Sequence, residues 1–272
     1  MSRMFKSVTR TWNPQVGCLY LCCYCWARNL AETKLKGTSR YKNGFRPLFI
    51  TNELRKRFKT GEFVFVSDMG DLFGKWVKLE NIMSVLRCIA RWPETTFLLQ
   101  TKNPARFLDV HAELPHNVYL GTTIETNDYY HGLAFDSLGA RLKYWEEHKI
   151  TDAPSPFARY QAITDSKLIK WPKFISIEPI IDFDLDRLTR WMTDIKPQVI
   201  EVGADNYHNH LPEPPWSKVQ ALLENLRRVC PRVEEKQGLE RLKGVSRRQG
   251  ENLAQRVSRE GRENHEQRVS QE

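Results

Sequence analysis

Hydrophobic and polar positions alternate between two kinds of segment along the first 230 residues. Five short runs are almost continuously apolar and rich in β-branched residues, and polar residues, Gly or Pro bound each of them: 62–67, 95–101, 117–124, 173–178 and 198–203. Such runs are typical of strands that are buried on both faces of a parallel sheet. A further strand is predicted between Lys6 and Trp12, before a cysteine-rich loop.

The stretches between these runs show the three- to four-residue spacing of amphipathic helices. Residues 79–92 are the clearest case, and further helices are predicted at 24–35, from Asn103-Pro104 onward, at 183–195 and at 216–229. The long segment 132–170 is predicted to form two short helices joined by a Pro-rich loop. Six strand–helix units indicate a parallel α/β architecture, with fewer units than the eight of a closed barrel.

The composition changes after Pro231. Charged residues, Gln, Asn and Ser dominate residues 231–272, and large hydrophobic residues almost disappear. Such a segment cannot bury enough apolar surface to offset the entropy lost on ordering. We therefore expect a folded domain over residues 1–230 and a disordered or frayed helical tail over 231–272. We interpret the tail as a passive extension, and the alternative is that it binds nucleic acid.

Three of the six cysteines form the pattern C-x3-C-x2-C: Cys18, Cys22 and Cys25, with Tyr24 before the last of them. Cysteine thiolates hold iron–sulfur clusters, normally four to a cluster. A loop that offers only three thiolates leaves one iron of a [4Fe-4S] cluster open, and an open metal position is where chemistry takes place. The pattern therefore indicates a cluster with one iron available to a ligand.

A structural zinc site is the alternative for the same loop, and it requires a fourth protein ligand. That ligand would be a His or one of the remaining cysteines, Cys23, Cys88 and Cys230. Cys23 directly follows Cys22, and two neighbouring thiols rarely face one metal; Cys88 and Cys230 each stand alone. We interpret these three cysteines as small buried hydrophobic residues.

Polar residues follow each of the five apolar runs. In β/α barrels the active site lies at the carboxyl ends of the strands. An Asp or Asn after one strand often only caps the next helix, but recurrence at five strand ends predicts a shared polar rim, which requires a polar ligand or a metal to offset its desolvation. The candidate site residues at this rim are Asp68, Gly70, Asp71, Lys102, Thr122, Glu125, Glu178 and Gly203.

The cysteine spacing, Tyr24 and the position near the N-terminus resemble the radical S-adenosylmethionine (SAM) superfamily. The resemblance implies a partial (β/α)6 TIM-like barrel, a [4Fe-4S] cluster on Cys18, Cys22 and Cys25, and SAM bound to the open iron through its amino and carboxylate groups. It also implies an electron donor, and reductive cleavage of SAM to methionine and a 5′-deoxyadenosyl radical.

The resemblance also suggests roles for the strand-end residues. The end of the second strand serves the methionine amino group in the superfamily, and here Asp68 to Asp71 occupy that place, with Gly70-Asp71 instead of the common Gly-Glu pair. Lys102 is the candidate for the SAM carboxylate or a substrate anion. The remaining candidates are Thr122 and Glu125 for the ribose, and Glu178 and Gly203 for the adenine or substrate side.

A closer resemblance is to a phage- and prokaryote-associated branch of radical-SAM-like proteins without a settled substrate. It spans residues 11–206, although many members of that branch have a longer gap between the first two cysteines. Its motifs in this sequence are Thr11-Trp-Asn-Pro14, Met69-Gly-Asp-Leu-Phe73, Leu99-Gln-Thr-Lys-Asn-Pro104, Gly121-Thr-Thr-Ile-Glu125, Ser176-Ile-Glu-Pro179 and a final Val-Gly-Ala.

Composition limits the cellular setting. No apolar run approaches the roughly 18 residues of a membrane helix, and Met1 to Val8 lacks the apolar stretch of a signal peptide. We expect a cytoplasmic protein in a reducing compartment, without a membrane partner. The formal net charge of +9 indicates either affinity for nucleic acid or another polyanion, or simply a solvated basic surface.

The predicted function is that of a radical SAM enzyme acting on a nucleic acid, a nucleotide or a peptide. One alternative is a nucleic-acid-binding protein without catalysis, whose cysteines hold zinc or a structural iron–sulfur cluster. A second alternative is DNA repair of the photoproduct-lyase type, which also uses SAM on a partial barrel. That reaction needs a cysteine to return hydrogen, and Cys88 and Cys230 are the distant candidates.

Overall fold

The computed structural model describes residues 5–127 and 150–244. Seven parallel strands form one sheet in strict chain order, and a separate antiparallel pair, β2 (Gln15–Val16) with β3 (Leu48–Phe49), follows the first of them. The seven are β1 (Arg10–Trp12), β4 (Phe63–Val66), β5 (Thr96–Thr101), β6 (Val118–Thr123), β7 (Lys173–Ile177), β8 (Val199–Val202) and β9 (Val233–Glu235).

Helices connect most of these strands. They are α1 (Trp26–Glu32), α2 (Leu79–Ala90), α3 (Pro156–Ile163), α4 (Leu185–Ile195) and α5 (Trp216–Val229), with short 3-10 helices at Thr51–Arg55, Pro104–Val110 and Ser166–Leu168. Among the described residues no pairing joins β1 to β9, so the sheet is that of an open barrel. The predicted partial α/β barrel is confirmed.

The sheet has one strand more than the six predicted. Strand β9 pairs in parallel with β8, and its residues lie inside the segment interpreted as a tail from residue 231. Val233 is the only hydrophobic residue of β9, and all three of its residues are half-buried at the sheet edge, which is why the apolar pattern does not reveal it. The folded part of the chain therefore extends past residue 230.

Two other predictions fall partly outside the described residues. The predicted tail from 245 to 272 and the part of the long segment from 132 to 149 are not among them. Residues 150–170 contain α3 and one 3-10 helix. No helix in the described part of the chain combines the length and the apolar character needed to span a membrane.

Side chains of the strands alternate between two apolar layers. Val64 and Val66 pack in the large core between the sheet and its helices, whereas Phe65 belongs to a smaller cluster on the inner face of the barrel. Phe5 packs in this inner cluster, with its ring centroid 5.2 Å from that of Phe65 and 4.9 Å from that of Phe174. Burial on both faces explains the continuous apolar runs in the sequence.

Candidate functional site

The loop that carries the cysteines is fastened to the end of β4. Asn13 holds both sides of this junction, because its Nδ2 donates to Asp68 Oδ1 at 2.6 Å and its Oδ1 accepts from the Met69 amide at 3.0 Å. The Gly17 amide also donates to the Met69 carbonyl at 2.9 Å. The Asn of the Thr-Trp-Asn-Pro motif therefore sets the position at which the chain enters the cysteine loop.

Position 17 requires a glycine for two reasons: its backbone conformation is left-handed, and the neighbouring chain leaves no room for a side chain. Its φ is +76°, and a Cβ atom there would lie 2.2 Å from the Arg46 carbonyl oxygen. We expect Gly17→Ala to lower the free energy of unfolding by roughly 2–3 kcal/mol, since left-handed strain and a backbone clash add. Gly61→Ala is the matched control, because Gly61 has φ +79° and no atom within 4 Å of the added Cβ. Urea unfolding of both variants measures the difference, and equal losses would contradict the predicted clash.

All three cysteines of the motif line one cavity. Cys25 caps the N-terminus of α1, where its Sγ accepts from the Arg28 amide at 3.4 Å. The Cys22 Sγ lies 3.1 Å from the Thr151 hydroxyl, which ties the loop to the start of the segment before α3. Burial raises the pKa of the Cys18 and Cys25 thiols.

The other cysteines lie elsewhere. Cys88 and Cys230 are buried, as predicted, and their thiols donate to the carbonyl oxygens of Leu54 and Arg232. Cys23 is exposed, so the expectation that it is buried is wrong. None of the three lines the cavity. Among the described residues, no group of three or more His, Cys, Asp or Glu side chains is arranged to hold a single metal ion.

The cavity opens at the carboxyl ends of the parallel strands. Its volume is about 990 Å³, a figure that includes space open to solvent. Apolar surface comes from Trp26, Phe45 and Phe65. Of the eight candidate residues at the predicted rim, five line this cavity: Asp68, Gly70, Asp71, Lys102 and Glu178.

Asp71 joins the ends of two neighbouring strands. Its carboxylate accepts from the Thr101 hydroxyl at 2.7 Å, from the Phe73 amide at 2.9 Å and from the Lys102 amide at 3.0 Å. Burial raises the pKa of Asp71, and these hydrogen bonds oppose that effect. Asp71 therefore fixes the backbone from which Lys102 enters the site.

Glu125 is the centre of a buried charge network. It forms ion pairs with Lys102 and, at 2.7 Å, with Arg159, and it accepts from the Tyr24 hydroxyl. Burial favours the neutral acid, but Arg159 and Lys102 hold the pKa of Glu125 well below its usual range. Because Tyr24 lies between Cys22 and Cys25 in the sequence, this network connects the cysteine loop to β6 and α3.

The three remaining candidates do not line the cavity. Thr122 is fully buried and its hydroxyl donates to the Thr101 carbonyl at 2.8 Å, and Glu125 is buried and paired with Lys102. Gly203 lies directly against Glu178, since a Cβ at Gly203 would be 2.6 Å from Glu178 Oε1. The ribose and adenine roles suggested for these residues stay predictions.

The sequence patterns did not predict two charged side chains that pair with candidate residues of the site. Arg159 comes from α3, in a segment whose pattern suggested helices but no charged contact with the barrel interior. Lys236 directly follows β9 and forms an ion pair with Glu178. It lies in the segment interpreted as a tail, so nothing in the sequence pattern placed it near a strand end.

Residues 4–145 match the model of a family described as "Protein of unknown function (DUF5131)". The chain belongs to this family. The matched region contains the cysteine loop and the strand ends up to Glu125. No curated protein matches the chain.

Solved structures similar to this chain include two of spore photoproduct lyase. One, a mutant with bound AdoMet and dinucleoside spore photoproduct, has a TM-score of 0.49 and 11% sequence identity, and the match covers 80% of this chain and 61% of that chain. Another mutant with dinucleoside spore photoproduct has a TM-score of 0.47 and 11% identity, with 79% and 60% covered. The chain thus spans about three fifths of the length of these proteins.

Proposed function

We propose that this protein is a radical SAM enzyme whose Cys18, Cys22 and Cys25 hold a [4Fe-4S] cluster. The observation that carries the proposal is that these three thiols line the same cavity as the polar carboxyl ends of the parallel strands. The proposal includes membership of the phage- and prokaryote-associated branch of radical-SAM-like proteins that the sequence motifs resemble. Asn13, a residue of the Thr-Trp-Asn-Pro motif, positions the cysteine loop through its contacts.

The residues present suit the two cofactors. Three thiolates are the donor set for a cluster with one open iron. The polar side chains of the cavity offer carboxylates and an ammonium group to the amino, carboxylate and hydroxyl groups of SAM, and its apolar wall suits the adenine. When bound, the cluster and SAM together supply a radical that abstracts hydrogen from a substrate, using an electron from an external donor.

The side chains of the protein bind and orient the cofactors and exclude water from the site. Lys102 places an ammonium group in the cavity, and Glu125 holds it there through an ion pair. Arg159 pairs with the other carboxylate oxygen of Glu125 at 2.7 Å, and 1% and 4% of the two side chains are exposed. Asp71 sets the backbone position of Lys102 through the hydrogen bond to its amide.

The photoproduct-lyase alternative receives no support from the two cysteines named for it. Cys88 and Cys230 are buried and neither lines the cavity, so neither thiol is placed to return hydrogen to a substrate there.

Metal and sulfide analysis tests the proposal against the zinc alternative. Protein purified without oxygen and reconstituted with iron and sulfide is expected to contain about four irons and four labile sulfides per chain, and to retain SAM in equilibrium dialysis. One zinc per chain in protein as first isolated, with no cluster after reconstitution, would overturn the proposal in favour of a zinc-binding protein.

A further inference from the structure

The chain's net positive charge is concentrated in one short segment. Residues 33–59, which we call the basic segment, contain nine of the 42 Lys and Arg and one of the 33 Asp and Glu. The segment thus has a formal charge of +8, whereas the other 245 residues together have +1. The nine basic side chains are all exposed: Lys34, Lys36, Arg40, Lys42, Arg46, Arg55, Lys56, Arg57 and Lys59.

The two halves of the basic segment meet around its one acidic residue. Glu53 is buried and pairs with Arg40 and, at 3.5 Å, with Lys56, so a single carboxylate serves two cations. Arg91, from the end of α2, donates to the Leu54 carbonyl at 3.1 Å and adds another exposed cation beside them. The surface formed in this way keeps a large excess of positive charge.

The basic segment reaches the mouth of the cavity. Phe45 lines the cavity, its carbonyl accepts from the Cys18 amide at 3.2 Å, and the Arg28 guanidinium lies 5.3 Å from its ring centroid. The next residue, Arg46, lies against Gly17 through its carbonyl. A polyanion bound to the segment is therefore brought directly to the cysteine loop.

An exposed aromatic side chain stands at the same cavity. Tyr207, in the loop between β8 and α5, lines the cavity and 67% of the residue is exposed to solvent. A positively charged track combined with exposed aromatic side chains is the arrangement that binds single-stranded nucleic acid, through its phosphates and its stacked bases. Enzymes that act on a base commonly take it out of the stack into such a pocket.

An anionic membrane fits this surface less well. Of the aromatic residues of the basic segment, Tyr41, Phe45 and Phe58 are buried and Phe49 is half-buried, and Leu48 is its exposed large hydrophobic residue. Insertion into a bilayer needs a continuous apolar face beside the basic residues. Charge without such a face favours a polyanion in solution.

We propose that the basic segment binds the phosphates of a nucleic-acid substrate, and that a base of the bound strand enters the cavity and stacks on Tyr207. The inference rests on the proposed function only in calling the nucleic acid a substrate. The binding itself is a property of surface charge and one aromatic ring, so it can be measured on protein with or without a cluster.

The test uses fluorescent oligonucleotides of about 20 nucleotides, longer than the usual sites of single-strand binding domains, as single-stranded DNA, single-stranded RNA and DNA duplex. Dissociation constants are measured between about 50 and 200 mM salt, because the salt slope counts the phosphates neutralised. The test variant is Lys34→Gln/Lys36→Gln/Lys42→Gln. The control Lys167→Gln/Arg187→Gln/Arg190→Gln removes three exposed charges from α4 and from the 3-10 helix Ser166–Leu168.

We expect the test variant to lose at least tenfold in affinity near 100 mM salt and about two units of salt slope, while the control changes less than twofold. Tyr207→Ala is expected to weaken single-strand binding about tenfold, and Tyr207→Phe to restore it. Equal losses in test and control variants, or binding to phosphatidylserine vesicles without binding to oligonucleotides, would overturn the proposal. Unchanged affinity in Tyr207→Ala would overturn its stacking part.

The same measurements on Cys18→Ala separate this inference from the proposed function. Binding that persists in Cys18→Ala shows that the surface acts independently of the cluster, as expected. If the wild-type protein binds nucleic acid but fails to assemble a cluster, the proposed function fails and the nucleic-acid surface stands. If a cluster assembles and no oligonucleotide binds, the nucleic-acid surface is overturned and the proposed function stands.

Discussion

Cys22→Ala is expected to abolish cluster assembly, whereas Cys23→Ala leaves iron and sulfide at the wild-type level. The two thiols are adjacent in sequence but differ in position, since Cys22 lines the cavity and Cys23 is exposed outside it. A cluster held by three thiolates has no spare protein ligand, so the loss of one removes its anchorage. Iron and labile sulfide per chain, measured after identical anaerobic reconstitution, check the prediction.

Folding controls make this comparison decisive. Both variants remove one thiol from the same loop, and neither thiol belongs to the hydrophobic cores. The free energy of unfolding of each apo-variant is therefore expected to lie within about 1 kcal/mol of that of the wild-type apo-protein. Equal loss of iron in the two variants would overturn the ligand assignment. Full iron content in Cys22→Ala would do the same.

Glu125→Gln is expected to lower the free energy of unfolding by about 3–5 kcal/mol. The substitution leaves Arg159, with 1% of its side chain exposed, and Lys102, with 17% exposed, without the carboxylate that both of them face. Removing one partner of a buried ion pair leaves an uncompensated buried charge, which costs far more than losing a surface pair. Urea unfolding of the apo-protein measures the loss.

The pH dependence of this loss has a defined sign. The folded-state pKa of Glu125 lies well below its usual range, because Arg159 and Lys102 outweigh the effect of burial. Its stabilising contribution is therefore complete above the unfolded-state pKa of about 4.3. The stability difference between wild type and Glu125→Gln is expected to shrink as the pH falls below that value.

Asp109→Asn is the matched control for Glu125→Gln. Asp109 pairs with Arg106 at 3.3 Å, but 55% of its side chain is exposed, so its removal is expected to cost well under 1 kcal/mol. A loss for Glu125→Gln as small as that for Asp109→Asn would contradict the charge network described around Glu125.

The strands of this fold are predictable where they are buried on both faces. Residues 63–66, for example, are all apolar because the inner layer and the outer layer both exclude water. Strand β9 is not predicted from the sequence, because a single hydrophobic residue at a half-buried sheet edge produces no periodic apolar pattern. The helix expected after Pro104 forms as a 3-10 helix, a distinction that apolar spacing does not make.

The site residues that lie in local sequence patterns are predictable, whereas those that reach the site through tertiary packing are not. The cysteine spacing and the polar strand ends are local patterns, and five of the eight predicted rim residues line the cavity together with all three cysteines. Thr122 has the right residue type at a strand end, but the direction of its side chain depends on the strand's twist and register, and its hydroxyl bonds to the neighbouring strand. The position of Arg159 in the charge network depends on how α3 packs against the sheet, which no local sequence pattern indicates.

Formation of 5′-deoxyadenosine tests the central claim most directly. Reconstituted protein is incubated with SAM and dithionite without oxygen, and the product is quantified by chromatography against Cys18→Ala prepared in the same way. We predict 5′-deoxyadenosine from the wild-type protein and none from Cys18→Ala. No 5′-deoxyadenosine from wild-type protein that carries an intact cluster and bound SAM, with and without single-stranded oligonucleotide, would contradict the assignment as a radical SAM enzyme.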